Sequence, residues 1–104
     1  MRARKAVITA AGRGTRMFPA TRAIQKEMLP LADTDGVVRP TLQIIAAECV
    51  ASGIEEICVV VEKGGGAAFR DHFRAPDPDE LRALAGKAWA LDEAERIARL
   101  AERI

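Results

Sequence analysis

The sequence predicts an α/β fold built around a βαβ unit with parallel strands, and three observations predict it. A short apolar run, KAVITAA at 5–11, stops at Gly12. A second, IEEICVVVE at 54–62, sets Ile57, Val59, Val60 and Val61 close together. Between them PTLQIIAAECVASG at 40–53 repeats Leu42, Ile45, Ala46, Cys49 and Val50 at helical spacing. A brief apolar run ending at a glycine reads as a buried strand. Clustered β-branched residues mark a strand covered on both faces, as parallel sheets require. Pro40 suits a first helical turn and Gly53 a helix end. Strand, helix and strand in that order form a right-handed crossover.

The later elements follow from local signals. KGGG at 63–66 is either a flexible turn or, because it too follows a strand, a close approach to a ligand. AAFRDHF reads as a short helix and RAPDPDE as a proline-broken linker. Asp77 or Asp79 would cap a helix through ELRALAGKAWA. Asp92 would cap the last helix, EAERIARLAERI, whose Ile97, Leu100, Ala101 and Ile104 form an apolar stripe. Two strands buried on both faces cannot complete a doubly wound sheet, and an apolar edge invites pairing. The chain is therefore expected to continue in its natural context or to assemble with itself or a partner.

Composition narrows the function classes. Of 104 residues 49% are hydrophobic and 30% charged, a globular balance, with few aromatics. The net charge of +1 hides an asymmetry. Residues 1–39 hold eight Lys or Arg against three Asp or Glu, a balance of +5, and residues 40–104 hold eight against twelve, −4. The positive half lacks the density and aromatic interleaving of a nucleic-acid patch, so a compact anion fits it better. Cys49 and Cys58 have neither zinc spacing nor a disulfide framework, and their apolar surroundings predict buried thiols. No membrane span or signal peptide is visible, so the cytoplasm is expected.

The positive charge sits in AAGRGTRMFPATRAIQKEMLP, residues 10–30. Gly12 and Gly14 lack a Cβ and suit positive φ and close approach of backbone N–H groups to an anion. Thr15 adds a hydroxyl, and Arg16 a permanently charged fork matched to phosphate oxygens. Neither the Walker A spacing nor GxGxxG is present, since Met17 stands where each needs glycine. On spacing alone the loop is as much a plain turn as a phosphate cradle. Of the other polar residues, His72 reads as a surface or helix-end residue. Glu27 either meets a ligand or pairs with a neighbouring cation. Trp89 reads as a core or interface anchor.

The continuation resolves the ambiguity. GxGTR, then Pro19 and Thr21, then KEMLP at 26–30, with GIEEI opening the second strand, resembles the bacterial UTP–glucose-1-phosphate uridylyltransferases among nucleoside-diphosphate-sugar pyrophosphorylases. The likeness is dense over residues 5–62. It implies that the chain is the N-terminal βαβ portion of a Rossmann-like nucleotidyltransferase fold with an incomplete sheet, a nucleotide-binding unit over 1–62 and a mainly helical continuation over 63–104. The implied reaction joins UTP and glucose 1-phosphate into UDP-glucose and pyrophosphate. The implied roles place the backbone of Ala10, Ala11 and Gly12 against base and ribose, and Gly14 and Thr15 around the phosphates. Arg16 would hold the β and γ phosphates, and Lys26 would lie at the α-phosphate. Glu27 joins the nucleotide-binding set. Mg²⁺ is implied with ligands beyond residue 104.

Three departures stand out: Gln25 and Thr9 where the family usually has proline, and a longer LADTDGVVRPTLQ loop. The last leaves the sugar open. The isolated chain is expected to lack turnover, and a noncatalytic nucleotide-binding or self-associating fragment is the alternative.

Overall fold

In the computed structural model, which describes residues 2–104, the two apolar runs form β1 (Lys5–Ala10) and β4 (Glu56–Val61). They pair in parallel over their whole length, from Lys5 opposite Glu56 to Ala10 opposite Val61. The connection runs through a turn at Thr15–Met17, a short helix α1 (Ala20–Ala23) and a second turn at Lys26–Met28. An antiparallel hairpin of β2 (Pro30–Ala32) and β3 (Val38–Pro40) follows, then helix α2 (Thr41–Ala51). After β4 come α3 (Ala67–His72), α4 (Pro78–Ala83) and α5 (Ala88–Ala101).

Ala10, Leu42, Phe69 and Phe73 form the buried centre, with Ile8, Val59, Val61, Ile97 and Leu100 packed against it. Leu42 is fully buried, which fixes α2 against the sheet. The sheet is covered on one face only. Along β4 burial alternates, with Ile57 buried and Cys58 and Val60 exposed; on β1 Val7 is 67% exposed. The expectation of burial on both faces is thereby corrected. Side chains alternate across a strand, and among the described residues helices pack against one side. The same alternation leaves Cys58 exposed, while Cys49 is half-buried, so neither is the buried thiol expected.

The helical end differs from its sequence reading in one boundary. Gly86, at φ +82°, breaks the chain, and α5 begins at Ala88. Asp92 therefore lies inside the helix and caps nothing, because Ala90 already belongs to its inward face. Asp77, rather than Asp79, caps α4 by accepting the Glu80 N–H at 2.8 Å. Trp89 is 63% exposed and outside this core.

The hairpin holds a feature absent from the sequence reading, a guanidinium buried among carboxylates. Arg39 donates to Glu93 through Nε (2.7 Å) and Nη2 (2.9 Å), to Asp33 through Nη1 (2.7 Å), and to Asp35 through Nη1 and Nη2 (2.9 and 2.8 Å). Gln43 on α2 donates to the same Glu93 at 2.6 Å and pairs through Oε1 with His72 Nε2 at 2.7 Å. One cluster thus ties the hairpin, α2, α3 and α5. Hydrogen bonds from Arg39 hold the Asp35 carboxyl down at about 2 and also lower that of Glu93. Burial pushes the His72 imidazole below its usual value, against the pull of the Glu93 charge.

Replacing Arg39 with Met removes the buried cation shared by Glu93, Asp33 and Asp35, leaving Glu93 with the Gln43 amide and Asp33 with the Thr34 N–H as their remaining hydrogen-bond donors. Urea unfolding should show Arg39→Met less stable by about 2–3 kcal/mol, at or below the ~3–5 kcal/mol of a fully buried broken pair because Asp35 is half exposed. Carboxyls with lowered folded values stabilise above pH about 4 and lose that contribution as pH falls toward 2. The variant should lose this acid-side slope, which unfolding at stepped pH measures.

Candidate functional site

The glycine loop leaves β1 at Ala10, which is 1% exposed and anchored in the core. The parallel pairing puts the loop at the carboxyl end of the strands beside the end of β4, where open α/β sheets take ligands. Gly14 turns the chain at φ +63°, in the left-handed region, and its carbonyl accepts the Met17 N–H at 3.0 Å to start the turn at Thr15–Met17. Gly12 has an ordinary φ and open space where a Cβ would stand, so only Gly14 fulfils the expectation of positive φ.

Two side chains from the following segment close the loop. Thr21 Oγ1 donates to the Gly14 carbonyl at 3.0 Å. Gln25 Nε2 lies 3.0 Å from the carbonyls of Ala10 and Gly12 and from Glu27 Oε2. Glu27 is buried, and its other oxygen lies 3.9 Å from Lys26 Nζ. A Cβ on Gly14 would meet Thr21 Cγ2 at 2.8 Å and Lys26 Cβ at 3.0 Å. The fold thus brings Ala10, Gly12, Gly14, Lys26 and Glu27 together.

Ala11 continues the loop, half-buried. Arg16 and Thr15 are exposed on the turn, and no hydrogen bond or ion pair of the Arg16 side chain joins it to that group among the described residues. A recess of about 390 Å³ opens beside the loop, lined by Arg13, Thr15, Phe18, Arg22, Gln25 and Glu62. A more apolar recess of about 380 Å³, between β4 and Phe69, Phe73 and Ile104, lies away from the glycine loop and offers an anion only Arg70.

The arrangement can present backbone N–H groups, a hydroxyl and exposed cations to a compact polyanion. Among the described residues no group of three or more His, Cys, Asp or Glu side chains is gathered around a common point. Thr21 and Gln25, visible in the sequence only as a motif position and a departure from proline, turn out to shape the loop, while Arg39 and Gln43, which support it, were missed. Only Arg39 had a usable signal, since Asp35–Gly36 between short apolar pairs is a hairpin turn signature.

A glycine loop after the first strand of a parallel sheet, with cations beside it, is an arrangement that anion-binding α/β proteins use. Residues 5–82 match the nucleotidyl transferase family, well over half of the chain, and the chain belongs to that family. Within it, the chain is 42% identical over 100 residues to the UTP–glucose-1-phosphate uridylyltransferase of Bacillus subtilis, covering 95% of this chain and 32% of that one. It is 57% identical over 70 residues to the enzyme of the same name from Mycoplasma pneumoniae, covering 67% and 22%. Among solved structures it resembles an apo UDP-glucose pyrophosphorylase, with TM-score 0.75 and 29% identity over 98% of this chain and 34% of the other. A UTP-bound UDP-glucose pyrophosphorylase from Acinetobacter baumannii gives TM-score 0.67 and 30% identity over 95% and 32%. The chain spans about a third or less of the length of these relatives, and it carries the nucleotidyltransferase fold with its sheet incomplete.

The two glycines make separable predictions. Gly14→Ala combines a left-handed φ with a clash against the Thr21 and Lys26 side chains. It should lower thermal stability by about 1–2 kcal/mol and displace the Lys26 stem, visible as shifted amide resonances at residues 14, 21 and 26. Gly12→Ala, with ordinary φ and open space, should leave the melting temperature within about 2 °C of wild type, well under the shift expected from 1 kcal/mol.

Proposed function

We propose that this chain is the triphosphate-binding part of a uridylyltransferase acting on UTP and glucose 1-phosphate. The observation that carries the reading is the glycine loop at the end of β1, closed by Thr21 and Gln25 and flanked by exposed cations. In this reading residues 1–62 are the nucleotide-binding unit and residues 63–104 its helical continuation. The backbone of Ala10, Ala11 and Gly12 meets base and ribose, Gly14 and Thr15 cradle the phosphates, and Glu27 belongs to the same nucleotide-binding set, beside Lys26.

A phosphate oxygen of the sugar phosphate attacks the α-phosphorus of UTP. The bond from that phosphorus to the oxygen bridging the α and β phosphates breaks, and pyrophosphate leaves with its electron pair. Such transfers depend on positioning and on stabilising spreading negative charge. Arg16 serves the β and γ phosphates and Lys26 the α-phosphate, two cations at opposite ends of the triphosphate. Mg²⁺ would add charge neutralisation when bound, through residues outside this chain. No helix among the described residues is long and apolar enough to cross a membrane, and we place the reaction in the cytoplasm.

A second reading is favoured by one observation, the uncovered sheet face with Val7, Cys58 and Val60 exposed. In it the chain binds nucleotide without turnover and self-associates through that face.

Calorimetric titration of the chain with UTP tests the loop. One charge-assisted hydrogen bond is worth about 1.5–3 kcal/mol, so Arg16→Ala and Lys26→Ala should each weaken UTP binding about 10-fold or more, with a smaller effect on uridine. Equal affinities for wild type and both variants would exclude this loop as the triphosphate site. Pyrophosphate release from UTP and glucose 1-phosphate by this chain would reject the second reading.

A further inference from the structure

We infer that Gln25 is a positioning residue for nucleotide binding: its side-chain amide clamps the Ala10 and Gly12 carbonyls and thereby aims the Ala11 and Arg13 N–H groups at the ligand. This rests on the nucleotide reading above and adds a specific residue to it.

The geometry leaves the amide one orientation. Its nitrogen has three neighbours at 3.0 Å, two carbonyl oxygens and a Glu27 carboxylate oxygen, all acceptors. Turning the amide over would set its own oxygen against all three. With two N–H groups for three acceptors, one hydrogen is shared. The clamp therefore joins both ends of the loop's first turn to a buried carboxylate.

Peptide planarity carries this to the ligand side. The Ala10 carbonyl and the Ala11 N–H belong to one trans peptide and point in opposite directions, as do the Gly12 carbonyl and the Arg13 N–H. Holding both carbonyls toward Gln25 turns both N–H groups away from it. Neither N–H takes part in a turn or loop hydrogen bond among the described residues. Little else fixes the segment, since the first backbone bond donated after β1 in this loop comes from Met17. Without the clamp the Ala11 and Arg13 peptides are free to rotate, and binding must then order them.

The backbone permits a clean deletion of this side chain. Gln25 has φ −58° and ψ 135°, within proline's range, and Ile24 before it is extended at φ −134°. The Gln25 N–H makes no turn or loop hydrogen bond among the described residues. Gln25→Pro therefore keeps the chain path, and Gln25→Leu keeps the approximate volume.

The test measures UTP affinity by calorimetry and the loop by amide spectra and hydrogen exchange, on this chain. Expected for Gln25→Leu and Gln25→Pro are about tenfold weaker UTP binding, shifted Ala11 and Arg13 resonances with faster exchange, and melting temperatures within a few degrees of wild type. UTP affinities equal to wild type in both variants, with Arg16→Ala still weakened, would overturn the positioning role and leave the nucleotide reading standing. If wild type shows no saturable UTP binding, the nucleotide reading falls, and the aim at a ligand falls with it. Unchanged Ala11 and Arg13 resonances in both folded variants would overturn the clamp itself.

Discussion

The Arg39 guanidinium is the point on which the arrangement of the smaller elements depends. The two-stranded parallel sheet and its apolar face fix β1, α2, α3 and β4 by burial, which is non-directional. Nothing apolar in the exposed hairpin, whose Leu31 and Val38 face solvent, would set its angle. Arg39 does, because its planar fork must satisfy Glu93 on one edge and Asp33 and Asp35 on another. With Gln43 and His72 added, every member of the cluster described above has a partner. Its burial is tolerable on that condition, since an unpartnered charge there would cost far more than the pair returns.

That anchoring reaches the loop through a short chain of contacts. The hairpin begins at Pro30, directly after the turn that carries Lys26 and Glu27. The first residue of α2 returns to the same place, where Thr41 donates both its N–H (3.0 Å) and its hydroxyl (2.8 Å) to the Leu29 carbonyl. The segment bearing Gln25, Lys26 and Glu27 is thus held at its far end by α2. Its near end is held against the glycine loop by Thr21 and Gln25. A loop poor in backbone hydrogen bonds of its own is shaped by a neighbour that the core fixes.

How much of this was legible in the sequence follows from the range of each signal. β1, β4 and α2 were readable because periodicity and bounding Pro and Gly are local, and their parallel order follows from connection rules. Burial of β4 on both faces was not, because coverage of a strand depends on what packs over it and not on its own residues. Asp92 misled because an Asp before an amphipathic stripe looks like a cap, whereas the break lies at Gly86. Of the site, Gly14, Lys26 and Glu27 were visible as residue types near the loop. Gln25 was noted only as a departure from proline; its three acceptors at residues 10, 12 and 27 come together through a turn that the sequence does not display. Arg39 and Glu93 are separated by 54 positions, a pairing no local pattern encodes.

The charge asymmetry between the two halves acquires a physical meaning in this setting. Arg39 is buried and saturated with carboxylates, while Arg13, Arg16 and Arg22 are exposed and have no ion-pair partner among the described residues. Exposed cations retain their hydration, so keeping them unpaired costs little. Their summed field extends roughly a Debye length, about 8 Å at physiological salt, and, opposed at the recess by the one Glu62 carboxylate that lines it, favours anions there without distinguishing among them. Selection must then come from directional donors. The N–H groups that Gln25 turns outward are uncharged, short-range and fixed in angle, so they discriminate geometry where the arginines discriminate only charge. A polyanion lacking acceptors at those positions would be attracted at low salt and lost as salt rises, whereas one that engages them keeps a salt-insensitive part of its affinity.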